Sequence, residues 1–433
     1  MRAILTAGAA ALALVACSGK TDFDRSTQMG SNPVLPAPKQ YLLPPMHIAP
    51  VDRWKGGETP TVPAGMTVKA FATSFEHPRQ LYVLPNGDVL VVESSGPPAP
   101  VYRPKEIVMG WVQGRAGAGA KGAQRITLLR DTNGDGVPDV RTVFLDHLIS
   151  PFGVALVGGD LYVANTDALV RYPYVTGQTR ITAPGTRLTE LPGGPIDHHW
   201  TKSLAASPDG SKLYVGVGSN SNITENGIEA EKERAAIWEV DRATGAHRLY
   251  ATGLRNPTGV AFEPVSHQLW AIANERDELG PDLVPDYLTS VKDGAFYGWP
   301  YSYYGQHVDP RVMPQRPDLV AKAIPPDVAL SSHTAPLGLT FFAGPTLGPR
   351  FAGGGAFIGE HGSWDRNPFN GYKVVWVPFA NGRPTGKPQD VVTGFLSANG
   401  KAHGRPVGVA IDKAGALLVA DDLGNTVWRV TGR

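Results

Sequence analysis

One phrase recurs six times along this chain, and it restricts the available folds more than any other feature. It opens on a turn into an apolar strand, breaks at a Gly, Asn or Asp turn, and resumes as a second apolar strand. The copies are PRQLYVLPNGDVLVVES from Pro78, PFGVALVGGDLYVANTD from Pro151, TKSLAASPDGSKLYVGVGS from Thr201, PTGVAFEPVSHQLWAIANE from Pro257, PLGLTFFAGPTLGPRFAGGGAFIGEHGS from Pro336 and PVGVAIDKAGALLVADD from Pro406. Period-two apolar runs around Asn86-Gly87 or Asp209-Gly210 are a hairpin signature. The third positions, Gln80, Gly153, Ser203, Gly259, Gly338 and Gly408, recur at a mean interval of roughly 66 residues, longer than the ~40–50 of common propeller repeats. A hairpin of this size cannot bury its own faces, so six copies predict radial stacking as an all-β, six-bladed β-propeller. The 51 glycines and 39 prolines among 433 residues argue against long helices. Forty Lys plus Arg against thirty-nine Asp plus Glu leave a net charge of +1, which provides no electrostatic footprint for nucleic acid.

The N-terminus reads differently. Met1-Arg2 precedes an apolar run from Ala3 to Ala16, too short to span a bilayer and shaped like a secretory signal. Leu14-Val15-Ala16-Cys17 has the form of a bacterial lipobox. The expectation is a signal peptide over 1–16, cleavage before Cys17 and acylation of that residue. Acyl chains at ~0.8 kcal/mol per buried methylene anchor a protein without any transmembrane helix. Ser18 fits sorting to the outer membrane of the periplasm. Cys17 is the single cysteine, so no disulfide forms within the mature chain, and there is no Cys-x-x-Cys-His for haem. The proline-rich residues 17–60 are expected to form a tether and wrap-around arm, and residues 61–433 the propeller.

Repeat register is a geometric tool, because equivalent positions of the blades form rings around the channel. Two residues before the phrase stand Glu76, Ile149, His199, Arg255, Thr334 and Gly404; one before stand His77, Ser150, Trp200, Asn256, Ala335 and Arg405. His199, Arg255, Asn256 and Arg405 are therefore expected at one channel mouth. An imidazole can take a proton near neutral pH. Guanidinium groups pair with carboxylates or steady an oxygen that becomes negative. Separately, Asp131, Asn133, Asp135 and Asp139 in DTNGDGVPD follow the opening of a calcium loop, with glycine at the turn and oxygen ligands at alternate positions. The alternative is an Asx-rich turn without metal. The loop is expected between blades, in a structural role.

At these residues the sequence resembles the pyrroloquinoline-quinone-dependent sugar dehydrogenases of the soluble glucose dehydrogenase and sorbosone dehydrogenase type, over about Thr61 to Arg433. The phrases that carry the likeness are GLRNPTGVAFEP from Gly253, DGAFYGWPYSYYG from Asp293, HHWTKSLAASPDGSKLYVGVGSNSN from His198 and GEHGSWDRNPFNGYKVV from Gly359. The resemblance implies the same six-bladed fold, pyrroloquinoline quinone and Ca²⁺ as cofactors, and oxidation of an aldose or sugar aldehyde. It gives His199 the role of base, puts Arg255 and Asn256 at the quinone carbonyl region and orthoquinone face, and matches Arg405 to one of the family's carboxylate-binding or stacking arginines. Trp200 and Arg276 join the cofactor-binding candidates, with Arg366 as substitute for the family's carboxylate-binding lysine. The family's Gln-Gly-Pro turn, whose carbonyls hold calcium, is replaced by Asn274-Glu275-Arg276-Asp277, and a paired arginine by His403. These departures favour the sorbosone-dehydrogenase-like branch.

The expected partners are a small sugar and a separate electron acceptor, a cytochrome or a quinone. Two other readings are a metal-dependent sugar lactonase using Glu76 and Asn256, and a non-catalytic propeller that binds glycans or proteins. Specificity is expected in the irregular segments Ser95 to Gln124 and Pro300 to His333.

Overall fold

Each of the six phrases forms the two innermost strands of one four-stranded antiparallel blade, in a computed structural model that describes residues 19–41, 45–98 and 121–433. Blade 1 comprises Pro78–Val83, Val89–Glu93, Arg125–Arg130 and Val140–Leu145, and blade 2 Gly153–Val157, Asp160–Ala164, Ala168–Pro173 and Thr186–Glu190. Blade 3 is Lys202–Ala206, Lys212–Val217, Ala236–Asp241 and His247–Thr252; blade 4 is Asn256–Phe262, Leu269–Asn274, Pro285–Ser290 and Val328–Ser332. Blade 5 is Pro336–Phe342, Gly355–Glu360, Lys373–Ala380 and Gln389–Val392. Blade 6 takes Pro406–Ile411, Leu417–Asp421 and Thr426–Gly432 from the end of the chain, and its outer strand Met66–Ala72 from the beginning. Met66 lies opposite Gly432 and Ala72 opposite Val427. First strands touch their neighbours all the way round, so the ring is closed.

Both faces of each blade are covered, which explains why the second strands are apolar without alternation. In Val89–Glu93, Leu90 and Val92 pack against Leu161 and Val163 of blade 2, while Val89 and Val91 pack against Leu418 and Ala420 of blade 6. Fully burying a Val or Leu side chain is worth roughly 1.5–3 kcal/mol, and the same arrangement fills the other seams between blades. The recurring glycine of the phrase belongs to the crowded axis: a Cβ on Gly338 would collide with the Val407 carbonyl and sit 2.9 Å from the Cα of Gly408.

First strands begin, and second strands end, on one face of the disc: Pro78 pairs with Glu93, Asn256 with Asn274, Pro336 with Glu360 and Pro406 with Asp421. This is the mouth face. The hairpin turns lie on the opposite face, as does Asp131–Asp139, which joins the third and fourth strands within blade 1 rather than lying between blades.

The proline-rich N-terminal segment is docked on the propeller, as a wrap-around arm would be. Thr21 N–H donates to Asn367 O at 2.8 Å, and Thr21 Oγ1 to Asp282 at 2.6 Å. Gln28 is fully buried between Asp282, Ser331 and Ser332, and Met29–Gly30 adds an edge strand to blade 4. Trp54 donates to Asp421 at 2.7 Å and stacks on His403, with ring centroids 5.2 Å apart. All of these partners stand at the mouth-face ends of blades 4, 5 and 6. The segment 291–327 leaves blade 4 on the opposite face and climbs back to the mouth, where Trp299 donates to Asn222 O at 2.9 Å and Arg311 to Asp277 O at 3.2 Å. Most of the Ser95–Gln124 segment lies outside the described residues.

Gly338→Val is expected to destabilise the propeller by about 1–3 kcal/mol through overpacking at the axis. Gly353→Ala, at a position with open space around it, is expected to be nearly neutral. Chemical denaturation of both variants checks this, and equal stability would refute the crowding argument.

Candidate active site at the channel mouth

The base candidate His199 is carried by a clamped segment. Asp197 pairs with Arg234 at 3.0 Å, accepts from Thr166 and lies 3.6 Å from Lys202. Lys202 is wholly buried, donates to Trp200 O at 3.1 Å, and is pushed down to about 8 by burial. Held this way, His199 Nδ1 lies 2.9 Å from the Ser219 carbonyl. A carbonyl only accepts, so Nδ1 carries the proton and the lone pair of neutral His199 is on Nε2. Burial, then the charges of Arg255 and His198, hold this imidazole well below its usual value. It is therefore an unprotonated base at neutral pH.

Asn256 adjoins it. A Cβ on Gly218 would collide with both the His199 side chain and Asn256 Oδ1, so only glycine lets the two groups meet. Asn256 Oδ1 is buried and has no hydrogen-bond partner. Arg255 is buried and largely committed: Nη1 donates to Glu275 O at 2.7 Å, Nη2 to Asn222 Oδ1 at 3.0 Å and Asp277 Oδ2 at 3.3 Å, and Nε to Asn222 O at 3.3 Å. One Nη1 hydrogen remains, and its main influence on His199 is electrostatic.

Blades 5, 6 and 1 supply the other wall. Arg405 is buried, lies over the Tyr372 ring at 5.7 Å and leaves Nε without a partner. Arg79, absent from the sequence expectation, pairs with Asp422 and reaches the Trp200 ring at 5.8 Å, also with a buried, unpartnered Nε. Trp200 thus meets blade 1 across the mouth, and it packs edge-on against Phe152 at 6.1 Å. Asp422 accepts from His361 Nε2 at 2.9 Å and lies 3.5 Å from His77. Burial works against its charge, yet His361, His77 and Arg79 hold its carboxyl far below the usual range.

A third cluster adjoins Arg255. His333 Nε2 is 3.0 Å from the Gly280 carbonyl and so carries a proton, while Nδ1 faces Asp365 at 3.2 Å and Asp277 at 3.5 Å. Burial opposes a charge on His333, but Asp365 and Asp277 push it up to about 10. It is an imidazolium beside the Asp277 carboxylate, whose value is lowered, and beside Asp365, which burial pushes up to about 7. Among the described residues, Asp277, His333 and Asp365 are the His/Cys/Asp/Glu group whose ligand atoms converge as a metal would require.

Arg366 is buried, with Nη1 held by Pro281 O at 2.8 Å, Ser332 Oγ at 2.7 Å and Asp282 at 2.9 Å, while its Nε has no partner. Two expectations need correction. Arg276 is fully buried and held by Glu275, Pro300 O, Asp309 and Ser302 O, where it fastens the 291–327 segment to blade 4. Glu76, the lactonase candidate, has a side chain 59% exposed and paired with Arg125 at 3.3 Å, so it does not join Asn256.

The side chains of the Asp131 loop cap its own backbone. Asp131 accepts from Gly134 and Gly136 N–H, Asn133 from Asp135 N–H, Asp135 from Val137 N–H, and Asp139 from Thr132. A cavity of about 680 Å³ beside it is lined by Asp88, Arg130, Asp131, Asp412 and Arg429, but Arg130 pairs with Asp88 and Arg429 with Asp412, each at 2.7 Å. Cys17 lies outside the described residues.

A closed six-bladed propeller is a fold that known proteins share. The chain belongs to the TrAA12-like family, whose family model matches residues 120–285 and 317–433. It is 24% identical over 356 residues to a pyrroloquinoline quinone-dependent sugar dehydrogenase of Hypocrea jecorina, covering 70% of this chain and 78% of that protein. It is 30% identical over 242 residues to an uncharacterised protein of Borreliella burgdorferi, covering 55% of this chain and spanning 62% of that relative's length. The fold is similar to the holo form of the pyranose dehydrogenase PQQ domain from Coprinopsis cinerea, with a TM-score of 0.69 at 20% identity over 89% of this chain and 100% of that one.

His333→Gln is expected to lower stability in a pH-dependent way. A folded value raised to about 10 from an unfolded one near 6.5 contributes stability that is full below about pH 6.5 and lost as pH climbs to about 10. Urea denaturation across that range should show the gap between wild type and variant narrowing with rising pH. A constant gap would contradict the imidazolium assignment.

Proposed function

We propose that this protein is a quinoprotein oxidoreductase that oxidises an aldose or sugar aldehyde, with pyrroloquinoline quinone as hydride acceptor and electrons leaving to a separate acceptor. The observation that carries the reading is the neutral His199, its Nε2 lone pair available, beside an unpartnered Asn256 oxygen and two buried arginines with orphaned Nε groups. Orphaned buried donors of this kind fit an anionic guest. Family membership and the named activity of the Hypocrea relative point the same way.

Pyrroloquinoline quinone, when bound, supplies an electrophilic quinone carbon that accepts hydride. Arg79 and Arg405 are suited to its carboxylates, Trp200 to its ring face, and Asn256 to its polar edge. His199 Nε2 takes the proton from the sugar hydroxyl or hydrated aldehyde, while the Ser219 carbonyl fixes the tautomer and orients the ring. Arg255 keeps His199 neutral and adds positive potential where the oxygen becomes negative. Calcium held by backbone carbonyls does not fit this turn, because Glu275 O is taken by Arg255 and Asp277 O by Arg311. The Asp277 and Asp365 carboxylates are the oxygen donors gathered at that end of the pocket. The sorbosone-like preference belongs to this proposal, as does a periplasmic location with Cys17 lipidated and held at the outer membrane by the Leu14-Val15-Ala16-Cys17 signal.

Titrating the apo-protein with pyrroloquinoline quinone, with and without Ca²⁺, is expected to give saturable binding and dye-linked oxidation of sugars. His199→Ala should lose roughly 10²–10⁴ of kcat/KM while retaining binding. Because the His199 value is lowered, the acid limb of wild-type activity should lie below pH 6.5. No quinone binding and no activity across a panel of aldoses and sugar aldehydes would sink the proposal.

A further inference from the structure

The N-terminal arm carries information about orientation. Its docked course begins at Gly19: Asn367 N–H donates to Gly19 O at 3.0 Å, and a Cβ on Gly19 would collide with the backbone carbonyl of Asp365. Asp365 is the residue whose carboxylate faces His333 at the rim of the mouth. From there the arm stays on the mouth face through Thr21, Gln28, His47 and Trp54. A protein on a free stalk would tumble above its anchor. Here a single residue, Ser18, separates Gly19 from Cys17 in the sequence, and two residue steps of chain reach about 7 Å at most.

We propose that the mouth face of the propeller lies against the lipid headgroup surface, with the rim of blades 4 and 5 nearest the bilayer and the Asp131 loop pointing away from it. The inference rests on the lipid anchor proposed above. Acyl chains fix Cys17 at the headgroup layer. The arm cannot peel away to lengthen the leash without unburying Gln28 and breaking its bonds to blade 4, which cost more to leave unmade than they contribute when formed. An acceptor that takes electrons at this mouth has to arrive along the headgroup layer.

The mature chain contains no cysteine besides Cys17, so a thiol-reactive fluorophore can be placed at one new site at a time. Ala398→Cys puts it on the mouth face at an exposed turn, and Val265→Cys puts it on the opposite face, where the native side chain is 69% exposed. Acylated, full-length protein in phosphatidylethanolamine–phosphatidylglycerol vesicles is then quenched with headgroup-nitroxide lipid. Several-fold stronger quenching at 398 than at 265 is expected. Equal quenching, or stronger quenching at 265, in protein whose acylation is verified by mass spectrometry would overturn the orientation alone. A soluble product lacking the acyl chains would overturn the anchor and the orientation together.

Discussion

Everything in this molecule depends on sheets that cannot bury their own faces. Leu90 and Val92 look to one neighbour and Val89 and Val91 to the other, so no blade is stable without the next, and the series ends only by closing on itself. Closure is completed by pairing Met66–Ala72 with Thr426–Gly432, which ties the two ends of the chain into blade 6. Once the ring is closed, register does the rest. The beginnings of six first strands and the ends of six second strands are forced onto one mouth, and polar residues there share a small volume whatever their separation in sequence.

That crowding sets the electrostatics. Two histidines at the same mouth are driven in opposite directions by their neighbours. His199 faces a carbonyl, Arg255 and His198, and stays neutral; His333 faces Asp277 and Asp365, and stays charged. Asp277 links the two environments by pairing with both His333 and Arg255, so the group that neutralises one cation also places the charge that depresses His199. The arginines divide in the same way. Arg276 spends its donors on carbonyls and carboxylates of the framework, whereas Arg79, Arg366 and Arg405 each keep a buried Nε without a partner.

The blade count, the hairpins and the register of His199, Asn256 and Arg405 were legible in the repeat, because period-two apolar runs and turn glycines report local structure directly. The outer strand of blade 6 was not, since Met66–Ala72 carries no phrase and its partner is over 350 residues away in sequence. Arg79 was missed although it occupies a position where blades 2, 5 and 6 have Phe152, Leu337 and Val407; a charge there was the signal. His361 and Asp422 were missed because the reading followed only the strands that leave the mouth, and each hairpin also brings a second strand back to it. Arg276 was misassigned because motif position fixes where a residue starts, not which of its neighbours takes its hydrogen bonds. The proline-rich composition pointed to an arm but not to its contacts, because the burial of Gln28 and the bond from Trp54 to Asp421 depend on partners more than 250 residues away.

The most direct test is a crystal structure of the protein with pyrroloquinoline quinone and Ca²⁺. The quinone is expected at the mouth, with its reactive carbonyl edge within reach of His199 Nε2 and Asn256 and its carboxylates on Arg79 and Arg405. A quinone bound instead in the cavity beside the Asp131 loop, or found at the mouth without contact to His199, would contradict the site described for this fold.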